Sequence, residues 1–295
     1  MTVPATHTPD LSEVFGSLEY HCRLIWEARI AVNQEDLFFF DHPLDHVPAV
    51  MLTEAALRLA DQAMDGAASP WRAGISRVAL RFGQFCELSP EPVVRLWAAE
   101  RRAGLWNVEF RQDENIIGAG ELQRRAATAP SAPAKVRALA PVRASEPVPA
   151  GLVHRAHTQN VLIGGYEARA SGGHRVDLLT PVPGHYFRRR SPRVRAFGEV
   201  IEGIRQFGIL LAHEAREVVL GRQFIVKTIE LELERPISRH EPVVLRSTGL
   251  PRHRGRGTGR MDFTIEAGRR PVGTAQVTGT VVSAEVYQRI RGTNR

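Results

Sequence analysis

Two stretches of the chain carry apolar residues at helical spacing. The first, PAVMLTEAALRLADQAMDG, sets Val50, Leu57 and Met64 seven residues apart, two helical turns at a time, and Gly66 marks its end. The second, RVRAFGEVIEGIRQFGILLAHEA, is apolar around most of its circumference. Each is followed by four short segments of partial alternation, divided by Gly, Pro or charged turns, and these predict strands. After the first helix they are SRVALRFGQFCEL, PVVRLWAAER, LWNVEFRQD and NIIGAGELQ; after the second, QFIVKTIELELERP, PVVLRSTGL, RMDFTIEAG and PVGTAQVTGTVV.

Between these halves runs RRAATAPSAPAKVRALAPVRASEPVPAG, proline- and alanine-rich and without apolar period, which reads as a linker. The expected division is a first domain over 1–124, a linker over 125–150 and a second domain over 151–295. The halves also share a short echo. Glu91-Pro92-Val93-Val94 stands 37 residues after Glu54, and Glu241-Pro242-Val243-Val244 stands 39 after Glu202. Together with the shared order of elements, this points to duplication. A helix with little polar surface must be covered nearly all round, and one curled antiparallel sheet per helix does so. The predicted class is therefore α+β: two long central helices, each wrapped by antiparallel sheet. SRVALRFGQFCEL and QFIVKTIELELERP are the natural edges for joining the two.

Composition narrows the function. With 295 residues, 43% apolar and 24% charged, the chain has material for one large core or two of ordinary size, and reads as soluble and globular. No apolar run approaches bilayer length, and MTVPATHTPDLSE lacks the basic start and apolar stretch of a secretory signal, so the expected location is cytoplasmic. Cys22 and Cys86 show no CxxC or Cys/His spacing, which argues against a disulfide framework or a metal site. The net charge of +7, carried almost entirely by arginine, suits an anionic partner. Zinc-finger spacing, RNP-like aromatics and a helix-turn-helix are missing, which favours acidic carrier proteins or phosphorylated small molecules over nucleic acid.

Three features carry candidate chemistry. Glu54 lies in VMLTEAAL and Glu202 in VIEGIRQFGILL, where a core prefers leucine. A buried carboxylate must be protonated, paired or turned to a cavity, and Arg205, three residues on, shares a helical face with Glu202. The two form either a structural ion pair or a ligand grip. Before the second helix, PGHYFRRRSPRVRA supplies His185 and the arginines Arg188, Arg189, Arg190, Arg193 and Arg195, which read either as solvated side chains or as a phosphate site at a helix N-terminus. RHRGRGTGR lacks the GK[ST] ending of a phosphate loop and reads as a basic hairpin turn.

With these residues in view, the chain resembles the A-factor biosynthesis (AfsA-type) family of double hot-dog proteins. FDHPLDHVPAVMLTEAA in the first half, and VHRAHTQNVLI, GHYF, EGIRQFGILLAHEA, VVLGRQFIV and VYQRIRG in the second, carry the resemblance. It implies an acyltransferase that joins a β-ketoacyl group, delivered as a thioester on acyl carrier protein, to a hydroxyl of dihydroxyacetone phosphate. The ester then cyclises to a butenolide phosphate, a precursor of γ-butyrolactone or related signals. It implies no cofactor and no metal, no nucleic-acid or membrane partner, and a pseudo-dimer within one chain, with a homodimer left open. Carried over by position, the suspected catalytic groups are Glu202, Arg205 and His185 in the second half and Glu54 in the first, and Arg188, Arg189, Arg190 and Arg193 become the expected phosphate site. In the first half Leu57 stands where the family has arginine, with Arg58 one step further, and Asp36 stands for a histidine. The halves also come in the reverse of the usual order. The second half is therefore the expected site, with a desolvated Glu202 of raised pKa as base.

Two other readings stay open. FFFDHPLDHVPAVMLTEA is similar to the histidine-containing pattern of hot-dog dehydratases, so a dehydratase, hydratase or thioesterase acting on carrier-bound acyl chains is the rival enzyme; His42 and His46 otherwise read as scaffolding ahead of the helix. The missing Arg and His of the first half fit an acyl-binding scaffold without catalysis.

Overall fold

In the computed structural model, which describes residues 15–22, 25–64, 74–99, 102–124, 145–168, 173–247, 249, 252–254 and 258–293, the two apolar stretches form α1 (Ala49–Met64) and α3 (Phe197–Arg216). The alternating segments form β3 (Ile75–Phe82), β4 (Val93–Ala98), β5 (Leu105–Gln112) and β6 (Asn115–Arg124) after α1. After α3 they form β9 (Gln223–Leu233), β10 (Val243–Ser247), β12 (Thr258–Ala267) and β13 (Arg270–Val282). Two strands precede each helix that the alternation does not announce: β1 (Phe15–Cys22) and β2 (Ile25–Ile30), then β7 (Ile163–Ala168) and β8 (His174–Leu178). β7, IGGYEA, holds two glycines, which weaken a strand signal. A short α2 (Tyr186–Arg190) and α4 (Ala284–Thr293) are the other α-helices among the described residues. In RHRGRGTGR the ends pair as a hairpin, β11 (Arg252–Arg254) against the start of β12; its tip, 255–257, lies outside the described residues.

All strands join one antiparallel sheet, in the order β1-β2-β4-β5-β6-β3-β9-β13-β12-β10-β8-β7, with β11 beside β12. The halves meet where β3 pairs with β9, from Arg77 opposite Glu232 to Arg81 opposite Thr228, the two segments expected to join. Outward from that junction the halves correspond strand for strand: β6 to β13, β5 to β12, β4 to β10, β2 to β8, β1 to β7. The EPVV echo falls at the start of β4 and of β10, which are equivalent by this order. The predicted linker falls on 125–144, outside the described residues, except for its last six. Those pack on the second half: Pro147 bridges Gly164, and the N–H of buried Val148 donates to Ile163 O at 3.1 Å.

α1 packs over β2, β3 and β4, α3 over β7, β8, β9 and β13, and the helices touch each other. Both are buried nearly all round, as their sequences require; Ala55, Leu59, Phe207 and Leu211 are fully buried. Each such Leu or Phe stabilises the fold by about 1.5–3 kcal/mol. Glycines let α3 approach α1 on one side and β8 on the other. A β-carbon on Gly198 would collide with the Glu54 carboxylate, and one on Gly203 with Leu178. Among the described residues no helix is long and apolar enough to cross a membrane.

Candidate active site

Glu202, in the second turn of α3, is completely buried, and its neighbours determine its state. Arg155 donates to Oε1 from Nη2 (2.6 Å) and Nε (3.1 Å), Arg205 from Nη2 to Oε1 and from Nε to Oε2 (2.7 Å each), and Gln206 from Nε2 to Oε1 (2.8 Å). Burial alone would raise the carboxyl pKa, but the two guanidiniums and Gln206 outweigh it and hold the group down at about 2. This corrects the expectation of a raised, proton-accepting Glu202. The carboxylate stays ionised, and its task is to hold arginines. Arg155 spends its other Nη on Phe38 O (2.6 Å). Arg205 keeps Nη1 without a partner among the described residues, and its side chain is 20% exposed.

Arg155 also reaches into the first half, where its Nη1 lies 3.4 Å from Asp41 Oδ1. Asp41 is buried and accepts from Ala156 N (3.2 Å) and Asn160 Nδ2 (3.3 Å), and its Oδ1 lies 2.8 Å from His42 Nδ1. Burial pushes the Asp41 carboxyl up, but the bonds from His42 and Asn160 and the charge of Arg155 bring it below its ordinary value. An ionised carboxylate only accepts, so His42 donates to it from Nδ1, and in the neutral ring that tautomer puts the lone pair on Nε2. The His42 side chain is 36% exposed.

Of these groups His42, Arg155 and Arg205 border one cavity of about 490 Å³ between the halves. It opens where the β3–β9 pairing ends: the segment from Phe82 to Cys86 forms one side and the segment from Gln223 to Lys227 the other. His42, His154, Arg155 and Arg205 are its polar inner groups, and Val50, Leu52, Ile201 and Ile229 are buried apolar wall. His154 adopts a left-handed backbone, φ 53°, just before Arg155; such strain in a residue other than glycine gathers at functional sites. Burial and the nearby Arg205 push its pKa down to about 4, so the ring is neutral. Cys86 lines the cavity too, but burial pushes its thiol up to about 12, which removes it as a nucleophile. At the rim stands α4, which contributes Val286 and Ile290. It is clasped to the first half: Tyr287 OH donates to Asp45 Oδ1 (2.5 Å), and Arg291 binds Glu87 (2.6 and 2.7 Å) and Asp45 O (2.8 Å).

Other expected site residues lie elsewhere. His185 caps α2, its Nδ1 accepting from Phe187 N (3.3 Å); burial and Arg155 push it down to about 4, and it is not part of the cavity lining. The expected phosphate cluster stands apart from this cavity. Arg188, Arg189 and Arg190 fall in the last turn of a five-residue helix, at the end whose dipole favours cations rather than phosphate. Arg188 donates to Pro181 O (3.0 Å), Arg193 is exposed, and none of the four lines the cavity. Arg195 is buried and paired with Glu199 (2.8 Å), which Arg239 also holds. Glu54 is buried against Gly198 and accepts from Tyr186 OH (3.2 Å), which in turn accepts from Arg58 (2.7 Å). Burial pushes its pKa up. Phe38, Tyr186 and Phe187 pack together beside it, and neither Glu54 nor Arg58 lines the cavity. Asp36 is a turn residue whose Oδ1 accepts from the N–H groups of Phe38 and Phe39 (2.8 Å each).

Asp41, His42, His154 and Arg155 were thus not among the expected catalytic residues. Their signals were present in FDHPLDHVP and in the VHR triplet, the stretches that also carry the family resemblance. Residues 139–283 match the family model of the A-factor biosynthesis hot-dog domain. The second half belongs to that family. The A-factor-type half thus contains His154, Arg155, Glu202 and Arg205, while Asp41 and His42 come from outside the match. Over the whole chain the structure is similar to the dehydratase domain of the CurJ module of the curacin polyketide synthase (TM-score 0.60, 12% identity, 93% of this chain and 99% of that one). It is also similar to the dehydratase domain of PpsC from Mycobacterium tuberculosis, solved with C12:1-CoA (TM-score 0.55, 14% identity, 92% and 99%). A third similar structure is the tesB protein of Mycobacterium avium subspecies paratuberculosis (TM-score 0.52, 10% identity, 90% and 95%). These likenesses establish the hot-dog fold. Comparison with curated proteins yields no match.

Proposed function

We propose that the chain is an acyltransferase built as a double hot-dog, one unit per half, each central helix wrapped by its own part of the shared sheet. It takes a β-ketoacyl group from a thioester on an acyl carrier protein and passes it to a hydroxyl of a small phosphorylated acceptor such as dihydroxyacetone phosphate. The setting is cytoplasmic and the product a precursor of γ-butyrolactone or butenolide type. Family membership of the second half supports the class. One observation carries the reading: a single, largely apolar chamber between the halves unites the His42–Asp41 pair of one with the Arg205 guanidinium of the other.

His42 Nε2 takes the proton of the acceptor hydroxyl, whose oxygen attacks the thioester carbonyl. Asp41 holds the ring in the required tautomer and steadies the imidazolium. Arg205 Nη1, fixed by Glu202, faces the negative charge that develops on the carbonyl oxygen or the acceptor's phosphate. Collapse of the adduct breaks the carbon–sulfur bond, and the thiolate recovers the proton from His42. Glu202, ionised and bonded to two arginines, is unsuited to serve as the proton-donating acid of a dehydration.

The test is to incubate the protein with a β-ketoacyl thioester and dihydroxyacetone phosphate, then with a β-hydroxyacyl thioester, and to weigh the products. An acylated acceptor from the first mixture is expected, with His42→Ala slowing its formation by about 10²–10⁴-fold. Loss of water from the second substrate alone would make the protein a dehydratase. Free acid alone would make it a thioesterase, and tight binding without turnover would make it a scaffold.

A further inference from the structure

The cavity mouth holds a cation that the chemistry above leaves unused. Lysine occurs only twice in the chain, as Lys135 and Lys227, and Lys227 lies on the rim of the cavity. β9 pairs with β13 in step down to Thr228 opposite Thr278, then skips Lys227 and resumes with Val226 opposite Gly279. Lys227 is therefore the extra residue of a β-bulge, a device that re-aims a side chain. Pairing with β3 has also ended, at Thr228. In a regular strand successive side chains point to opposite faces, yet Val226 and Lys227 both line this cavity.

The surroundings favour an anion. Lys227 is exposed and has no hydrogen bond or ion pair to a described residue. No aspartate or glutamate is among the described residues lining the cavity, whose charged groups are Arg155, Arg205 and Lys227. The arginines stand at the inner end, tied to Glu202, with the apolar Phe224, Ile225 and Ile229 also forming wall. The fitting ligand is apolar or neutral along its length, reactive inside, and negatively charged where it leaves the protein.

We propose that Lys227 is the subsite for the phosphate of a phosphopantetheine arm, the handle on which the thioester arrives. The proposal rests on the reading of the cavity as a thioester site. It applies equally to an arm borne by coenzyme A and to one borne by a carrier protein.

The test compares one acyl group on four handles: pantetheine, 4′-phosphopantetheine, coenzyme A and an acyl carrier protein. Apparent KM is measured for the full-length protein and for Lys227→Ala and Lys227→Arg, with the acceptor held constant. Because the side chain is exposed and unpartnered, both variants are expected to fold. The wild type is expected to favour the phosphopantetheine thioester over the pantetheine thioester by about tenfold, the size of one charge-assisted hydrogen bond. Lys227→Ala should remove that preference without changing the pantetheine value, and Lys227→Arg should keep it. Loss of preference with coenzyme A or with the carrier supports the subsite and identifies the source of the arm. Equal use of both small handles by the wild type overturns the proposal and leaves the thioester reading standing, as does a variant that weakens only the acceptor. If the wild type uses none of the four, both readings fall.

Discussion

A carboxylate placed in an apolar helix must be protonated or paired, and Glu54 and Glu202 take one course each. The difference was illegible in sequence because the decisive partner of Glu202, Arg155, lies 47 residues away, beyond any helical spacing. Glu202→Gln is expected to cost about 3–5 kcal/mol in chemical denaturation, since it leaves Arg155 buried with too little negative charge. The pH dependence follows from the depressed pKa. The group contributes stability in full above its ordinary value of 4.5 and loses it as pH falls through about 2, an effect on the order of 3 kcal/mol. Glu54 has the opposite sign. Its folded pKa is raised, so its contribution is complete below the ordinary value and fades as pH rises through the folded one. Glu54→Gln should therefore match the wild type in acid and exceed it in thermal melts at mildly alkaline pH. A variant that loses stability equally at every pH would show instead that the ionised form is the one the fold requires.

At the level of elements, helices and strands with strong periodicity were legible, and those defined by their partners were not. β1, β2, β7 and β8 fill the outer sheet positions through pairing, and α2 exists because His185 caps a single turn. VYQRIRG carries little apolar signal, yet its Tyr287 and Arg291 hold α4 on the first half while Val286 and Ile290 edge the cavity. The clasp depends on charge. Burial raises the Asp45 carboxyl, but His46, Tyr287 and Arg291 bring it below its ordinary value, so its hold is full above that value and weakens as pH falls through the depressed one. Hydrogen exchange should therefore show α4 opening before the sheet on acidification. Arg291→Gln should open it already at neutral pH, raising exchange in 284–293 about tenfold or more, with β9 and β13 unchanged. Simultaneous opening of α4 and β13 would make the helix part of the core rather than a movable edge.

For the whole molecule, duplication was readable from the EPVV echo and the order of elements, but the site was not, because it belongs to neither half. Asp41 and His42 meet Arg155 and Glu202 only when β3 pairs with β9 and the halves correspond strand for strand about that junction. The junction is made by β3 and β9 themselves, so the connection between the halves has only to join two ends. Two manipulations should then have opposite effects. Cutting the chain within 125–144, by a protease site placed there, is expected to leave the halves associated at the size of the intact chain and with at least about half of its turnover, because the β3–β9 pairing joins them and a covalent connection adds only effective concentration. Ala79→Pro, at the middle of β3 opposite Glu230, removes an N–H from an interior strand and should split or unfold the protein with loss of turnover. Halves that separate on cutting, each still turning over substrate, would place a complete site within one half and contradict the shared chamber.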